Sequence, residues 1–298
     1  KMKKIIQRST CKNFSKILKI LFTLINLLFI YKYGSRQNII SVYFIISIYT
    51  FVSCFLLYTD LLELKFIRRL NLKKTYFFYC VFISIIIFLI TFLTDGNALK
   101  VDRWSAMDVA IKALINGQYP YTAVDHLNGR TSNFPGLLIL GIPFYLVGNV
   151  GYFQVFSFIL LSYTLYKYLD IKKALKYIIL LVISPAFWWE IFAISDLMSN
   201  AIIVFCYIIF LKQKLKNDIF KYPFFLGFST CFLTLTRGIF CIPLIMLVFK
   251  DFYFTTTNKK LKYMFSFLIT FIALVAIVII NCPNLEILKY YNPFVLQT

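Results

Sequence analysis

Residues 76–93 read YFFYCVFISIIIFLITFL, a run without one charged side chain, with Lys73 and Lys74 just before it and Asp95 just after. A helix crosses the hydrocarbon layer with about 20 predominantly apolar residues at 1.5 Å each, and this run with its flanks reaches that length. It has no polar stripe to turn toward water, so its whole circumference is suited to lipid or to other apolar helices. Outward from it, further apolar runs lie at 17–31, 39–58, 152–168, 175–192, 197–211 and 264–280. Two shorter runs, 222–236 and 238–249, flank Arg237. The stretch 135–147 is too short to cross, and its Gly136, Gly141 and Pro143 suit a re-entrant or interfacial piece. The expected fold is an all-α, polytopic transmembrane helix bundle. It would have about nine spans plus the re-entrant segment, in a single transmembrane domain over residues 1–298.

Composition agrees. Sixty per cent of the 298 residues are hydrophobic and 15% are charged, against about 45–50% and about 25% in soluble domains. A net charge of +20 would suggest a nucleic-acid partner in a soluble protein. Here most Lys and Arg fall in short segments between apolar runs: 1–19, 65–74, 167–176, 212–221 and 250–262. With the N-terminus inside, all five segments face the cytoplasm, as the positive-inside rule requires, and no nucleic acid is implied. The reading is a multi-pass integral membrane protein of a bacterial inner membrane, with membrane lipid as its surroundings. The seven Cys form no C-x-x-C pair and read as small apolar fillers, not as a disulfide framework or metal site. No cofactor or metal is implied. Lys1 and Met2 open no cleavable leader, and the end at Thr298, in a Pro- and Asn-containing loop after a run, reads as that of a piece of a longer protein.

On this topology the longest polar segment, 94–135, is an extracytoplasmic loop. The turn 190–200, the turn at Arg237 and the tail from Asn281 share its side and are placed to meet it. Within the loop, Trp104, Met107, Ile111, Leu114 and Ile115 recur at helical spacing, with Asp102 or Ser105 to cap the start and Gly117 to end it. The spacing predicts an amphipathic helix lying along the outer membrane surface. Tyr119-Pro120-Tyr121, then Asp125, His126 and Arg130, then Asn133-Phe134-Pro135-Gly136 complete the loop.

That order is a span, an outer loop with Asp102, Ala110–Leu114 with Gly117 and Pro120-Tyr121, then Phe134-Pro135 opening an apolar piece. It resembles the polyprenyl-phosphate-sugar-dependent glycosyltransferases of the GT-C superfamily, in particular their alpha-mannosyltransferase-like groups. Ser184-Pro185 through Glu190 and Ser195-Asp196 through Asn200 look like the second outer turn of that family. Leu226-Gly227 through Arg237 and Pro243 look like its later hairpin. The family's paired acids are absent: Asp102 is followed by Arg103-Trp104 and Asp95 by Gly96-Asn97, so either Asp is open as the base. Where the family has Tyr-Pro-Pro, this chain has Phe134-Pro135-Gly136.

The resemblance implies a mannose-like hexose moved from a polyprenyl-phosphate donor to a hydroxyl on a glycan or lipid-linked acceptor, for cell-envelope assembly. A carboxylate must accept the proton of the attacking hydroxyl and cations must stabilise the departing phosphate. Asp102 is the first candidate base, its plain alternative being a helix cap or a partner of Arg103. Asp95 is the second, its alternative a turn residue. Arg237 is the first candidate phosphate ligand, because a charge between apolar runs needs a partner or an interface. Arg103, Arg130, His126, Asp196 and Tyr121 complete the candidate substrate- and phosphate-binding set. Lys100 and Glu190 are weaker candidates. Trp188-Trp189 reads as interfacial belt. A transporter, flippase or glycan polymerase, or a non-catalytic membrane partner, is the competing expectation.

Overall fold

The computed structural model describes residues 2–36, 39–59, 71–215, 218–293 and 295–297. Of the expected cytoplasmic anchors, Lys1, Lys65, Arg68, Arg69 and Lys216 lie outside the described residues. All regular structure among the described residues is helical, apart from one isolated antiparallel bridge between Val124 and Arg130. The α-helices, in chain order, are α1 (Met2–Gly34), α2 (Val42–Tyr58), α3 (Leu72–Leu93), α4 (Arg103–Ile115), α5 (Pro135–Leu146), α6 (Tyr152–Tyr168), α7 (Ile171–Val182), α8 (Pro185–Phe192), α9 (Leu197–Lys214), α10 (Pro223–Thr234), α11 (Cys241–Phe254), α12 (Thr257–Ile279) and α13 (Leu285–Tyr290).

Among the described residues, four helical segments are long and apolar enough to cross a membrane: Phe14–Gly34, Leu72–Leu93, Leu197–Lys214 and Thr257–Ile279. A fifth crossing arises if α7 and α8, bent by 63° at their break, act as one span. This is a helical membrane protein, and the expectation of nine spans is corrected to four or five. The reason lies in helix length. α10 has 12 residues, α11 has 14, and α2 and α6 have 17 each, which at 1.5 Å per residue is about 18–26 Å, short of a hydrocarbon core of about 30 Å. Prolines set several of the helix starts. Pro135, Pro185 and Pro223 each occupy the first turn of a helix, where the missing N–H costs nothing and the preceding residue is pushed out of helical geometry.

The chain gathers into two compact units, residues Lys1–Tyr79 with Asp170–Trp189, and residues Cys80–Leu169 with Glu190–Thr298. In the first, α1 and α2 pair as a hairpin. Lys19 Nζ donates to Leu57 O at 2.7 Å and lies 4.6 Å from the centre of the Tyr58 ring. Asn26, 2% exposed, accepts from Ser184 Oγ at 2.6 Å and from Ala186 N at 3.3 Å, tying down the start of α8. Trp189 packs against Tyr33 and Phe29, and Trp188 Nε1 donates to Val182 O.

In the second unit α10 lies along α12 at backbone contact. A Cβ on Gly227 would stand 2.4 Å from Tyr263 O and 3.0 Å from Phe267 N, and Ser266 Oγ donates to Phe224 O at 2.7 Å in the same interface. Gly227→Ala is expected to force the two helices apart and to lower stability by about 1–3 kcal/mol, the usual cost of overpacking. A lowered thermal midpoint in micelles checks it; a wild-type midpoint refutes the close approach.

The amphipathic helix appears as α4, ended as expected by Gly117 at φ +69°. Its place differs from the expectation of a helix lying on the outer surface. Met107, Ala110, Ile111 and Leu114 are buried against Leu137, Leu138 and Phe153 in the protein's own core. Gly141 makes this possible, since a Cβ there would meet Met107 and Ile111 at 2.3 and 2.5 Å. The apolar stripe is therefore spent on α5 and α6 rather than on lipid.

Candidate functional site

The second unit brings the four segments expected to share one side into contact. The Tyr119 hydroxyl donates to Tyr291 O at 2.6 Å, joining loop to tail. Gly136 N donates to Leu235 O at 2.9 Å, joining the end of the loop to the turn before Arg237. Arg237 joins that turn to the turn at 190–196, as follows.

Arg237 leaves α10 in extended conformation. Its Nε donates to Asp196 Oδ2 at 2.8 Å and its Nη2 to Asp196 Oδ1 at 2.5 Å. The side chains are 13% and 3% exposed. Asp196 stands at the head of α9 without capping it. Its carboxylate serves Arg237 and accepts in addition from Asn200 Nδ2 at 3.0 Å. The capping is done by Glu190, 7% exposed, whose Oε2 accepts from Met198 N at 3.2 Å. Burial works against the Arg237 charge, but Asp196, then Glu190 and Asp102, outweigh it and hold the guanidinium above its ordinary pKa. One carboxylate thus pairs with the buried cation while two more act on it electrostatically, and Arg103 adds a second positive charge felt by Glu190.

The turn between Glu190 and Asp196 is strained. Ile194 has φ +44°, a conformation that is a genuine outlier for a β-branched residue and costs on the order of 1–3 kcal/mol. Gln154 of α6 holds it, its Nε2 donating to Glu190 O at 2.7 Å and to Ser195 O at 3.0 Å. Such strain persists where surrounding bonds over-determine it.

Asp102 is half-buried at the head of α4 and makes no side-chain capping bond. Nor does it pair with Arg103: the ion pairs among the described residues are Asp196–Arg237 and Asp218–Lys259. Its carboxylate is therefore uncommitted and within electrostatic reach of Arg237. Asp95 is exposed and does what a turn residue does, accepting from Asn97 N at 2.9 Å. An Asn at 95 keeps that acceptor, so Asp95→Asn is expected to leave any transfer activity within about twofold of wild type, as for a solvent-exposed cap. A large loss would move the base to Asp95.

Of the remaining candidates, His126, Tyr121 and Arg130 have partners of their own within the loop and tail. His126 braces the loop, with Nδ1 2.5 Å from Ser105 Oγ and Nε2 2.8 Å from Leu99 O. Tyr121 is 1% exposed and donates to Asn133 O at 2.9 Å. The Arg130 guanidinium lies 3.8 Å from the centre of the Tyr291 ring. Arg103 and Lys100 are exposed, Arg103 on the crevice beside Asp196. Between α10, α11 and α12 runs an apolar groove of about 600 Å³, walled by Thr234, Cys241, Leu244, Ile245, Met264 and Leu268. Thr234 and Cys241 bracket Arg237 in the chain. Six cysteines, Cys54, Cys80, Cys206, Cys231, Cys241 and Cys282, are free thiols. Among the described residues no three His, Cys, Asp or Glu side chains are grouped to hold a metal ion.

Sequence reasoning passed over Gln154 and Asn200 and gave Glu190 little weight. The signal for Gln154 was present, an amide inside the apolar run YFQVFSF, where a polar side chain needs a partner. No family model, curated protein or solved structure matches this chain.

Proposed function

We propose that this chain is a membrane glycosyltransferase of the GT-C type, transferring a mannose-like hexose from a polyprenyl phosphate to an acceptor hydroxyl on the extracytoplasmic face of a bacterial inner membrane. The observation that carries the reading is the uncommitted Asp102 carboxylate within electrostatic reach of Arg237, in a site where Arg103 adds a second cation. A base and a phosphate ligand are what the transfer needs. In the step, the acceptor oxygen bonds to the anomeric carbon and passes its proton to Asp102. The bond from that carbon to the phosphate oxygen breaks, and the polyprenyl phosphate departs with the electron pair toward the Arg103 and Arg237 side. The apolar groove by Thr234 and Cys241 suits the polyprenyl chain.

Orientation is supported by the spanning helices themselves. α3 begins with Lys73 and Lys74, α9 ends with Lys212 and Lys214, and α12 begins with Lys259, Lys260 and Lys262. The opposite ends of these helices adjoin the loop, the Asp196 turn and the tail, so the positive-inside rule puts those segments outside.

The test is transfer by the purified chain in proteoliposomes given polyprenyl-phosphate mannose or polyprenyl-phosphate glucose and a glycan or lipid-linked acceptor. Activity that depends on Asp102 supports the reading. A transporter, flippase or glycan polymerase, or a non-catalytic partner, is the second reading, favoured by the commitment of two Arg237 donors to Asp196. Transfer unaltered in Asp102→Asn, or no transfer from either donor, decides for it.

A further inference from the structure

The apolar groove between α10, α11 and α12 has a cause in the packing. Gly227 brings α10 and α12 to backbone contact, while α11 meets α12 through the Phe252 and Tyr263 rings, with centres 5.9 Å apart. The gap left between α11 and α12 is a trough of about 600 Å³. Thr230 and Leu244 in its lining are buried, and Ile245, Leu261, Met264 and Leu268 are exposed along its rim. The hydroxyls do not make it polar. Thr230 Oγ1 donates to Leu226 O at 2.6 Å and lies 3.2 Å from the Tyr263 hydroxyl. An apolar trough offers water few partners, and its lining forfeits dispersion contacts when nothing fills it.

One end of the trough is charged. Phe252 is the last lining residue of α11 and Leu261 the first of α12, so the two share an end. Lys260 and Lys262 flank Leu261 in the chain, and Lys250 stands two residues before Phe252. Lys260 Nζ lies 5.6 Å from the centre of the Phe252 ring. Lys259 is paired with Asp218, but Lys250, Lys260 and Lys262 are in no ion pair among the described residues. Lys260 Nζ spends one hydrogen on Tyr253 O at 3.1 Å and has two left. Asp251 is the one carboxylate beside them in the chain, so an excess of positive charge remains.

Lysines at a helix end serve by themselves as membrane anchors. A trough beside them adds a second requirement, and the two together specify a ligand. A free anion makes no use of the apolar walls, and a zwitterionic lipid makes little use of the lysines. A second helix, 10–12 Å across with its side chains, would need on the order of 1,400 Å³ over the length of α10, more than the trough holds. A single acyl chain is slender enough, and basic pockets between spanning helices hold anionic head groups.

We propose that this groove is a binding site for an anionic phospholipid, one acyl chain lying in the trough and the phosphate held at its Phe252–Leu261 end by Lys250, Lys260 and Lys262. The site does not depend on the glycosyl-transfer reading, in which the polyprenyl chain uses the opposite, Thr234–Cys241 end. Nor does it depend on orientation, because whichever leaflet meets the lysines supplies the lipid.

The experiment is native mass spectrometry of the full chain released from micelles. The chain is titrated with phosphatidylglycerol, with phosphatidylcholine of the same acyl chains, and with glycerol phosphate. One phosphatidylglycerol is expected to bind about tenfold more tightly than phosphatidylcholine, or about 1.4 kcal/mol, and glycerol phosphate is expected not to bind. Lys250→Gln, Lys260→Gln and Lys262→Gln together are expected to bring the preference to within about twofold. Leu268→Trp fills the trough from its exposed rim, and is expected to weaken phosphatidylglycerol about tenfold with the lysines intact. Equal binding of the two lipids, a preference kept by the triple variant, binding unaltered by Leu268→Trp, or glycerol phosphate bound as tightly as phosphatidylglycerol each overturns the site. A lipid-free dimer, its trough covered by a second copy, does so too. The lipid comparison uses the unaltered chain and decides the matter even if a variant folds poorly.

Discussion

Arg237→Met is expected to destabilise the second unit by about 3–5 kcal/mol, the usual cost of removing one partner from a buried ion pair. The mechanism is the charge left behind. Asp196 is 3% exposed and would lose both guanidinium bonds, with Asn200 Nδ2 the one side-chain donor remaining to it. Glu190 and Asp102 would then repel it without the cation they also face. Asp196→Asn is expected to cost clearly less, because Arg237 keeps the attraction of those two other acids and Asn retains an acceptor oxygen. Replacing both residues by apolar ones of similar size is expected to recover part of the loss. Unfolding in mixed micelles, followed by helical circular dichroism, measures all three variants. An Arg237→Met protein within about 0.5 kcal/mol of wild type, as for exposed pairs, would mean the pair is solvated; equal losses in the two single variants would remove the role given to Glu190 and Asp102.

Asp102→Asn is expected to lower the rate of hexose transfer by about 10²–10⁴-fold, the range for loss of a positioned general base. The fold should tolerate it. The Asp102 side chain caps nothing, while its backbone carbonyl, which accepts from Ala106 N at 2.8 Å, is retained. The same property makes it the better base: a carboxylate already locked to a cation, as Asp196 is, would have to break two bonds to take a proton. A base acts in the chemical step, so kcat should fall with the donor KM little changed. A fall in donor affinity with kcat intact would make Asp102 part of the binding surface instead.

The membrane character of the chain was plain from runs such as 76–93, where no face could meet water. α3, α9 and α12 appear where hydropathy puts them. The excess of expected spans has a physical source: an apolar run reports that a segment avoids water, not whether lipid or protein covers it. Residues 222–249 are as apolar as a span, yet they fold as two short helices about Arg237 because Pro223 starts one and the Asp196 contact holds the break open. The α4 stripe was legible, but its cover, Leu137, Leu138 and Phe153, is distant in sequence. Asp102, Asp196 and Arg237 were legible as charges beside apolar runs. His126 and Tyr121 were chosen for rarity and motif, and the structure uses both as braces. Gln154 was missed because one amide in an apolar helix carries no motif; its weight comes from the carbonyls of residues 190 and 195, which meet it only in three dimensions.

Asn26 has a bearing on biogenesis. The break between α7 and α8 frees the amide of Ala186, and the acceptor that satisfies it is a side chain near the middle of the first hydrophobic helix. An unpaired amide in hydrocarbon costs several kcal/mol, so the bend is unfavourable until that first helix stands alongside. The segment 171–192, which Pro185 already keeps from forming one straight helix, therefore settles into its corner only when a partner made more than a hundred residues earlier docks against it.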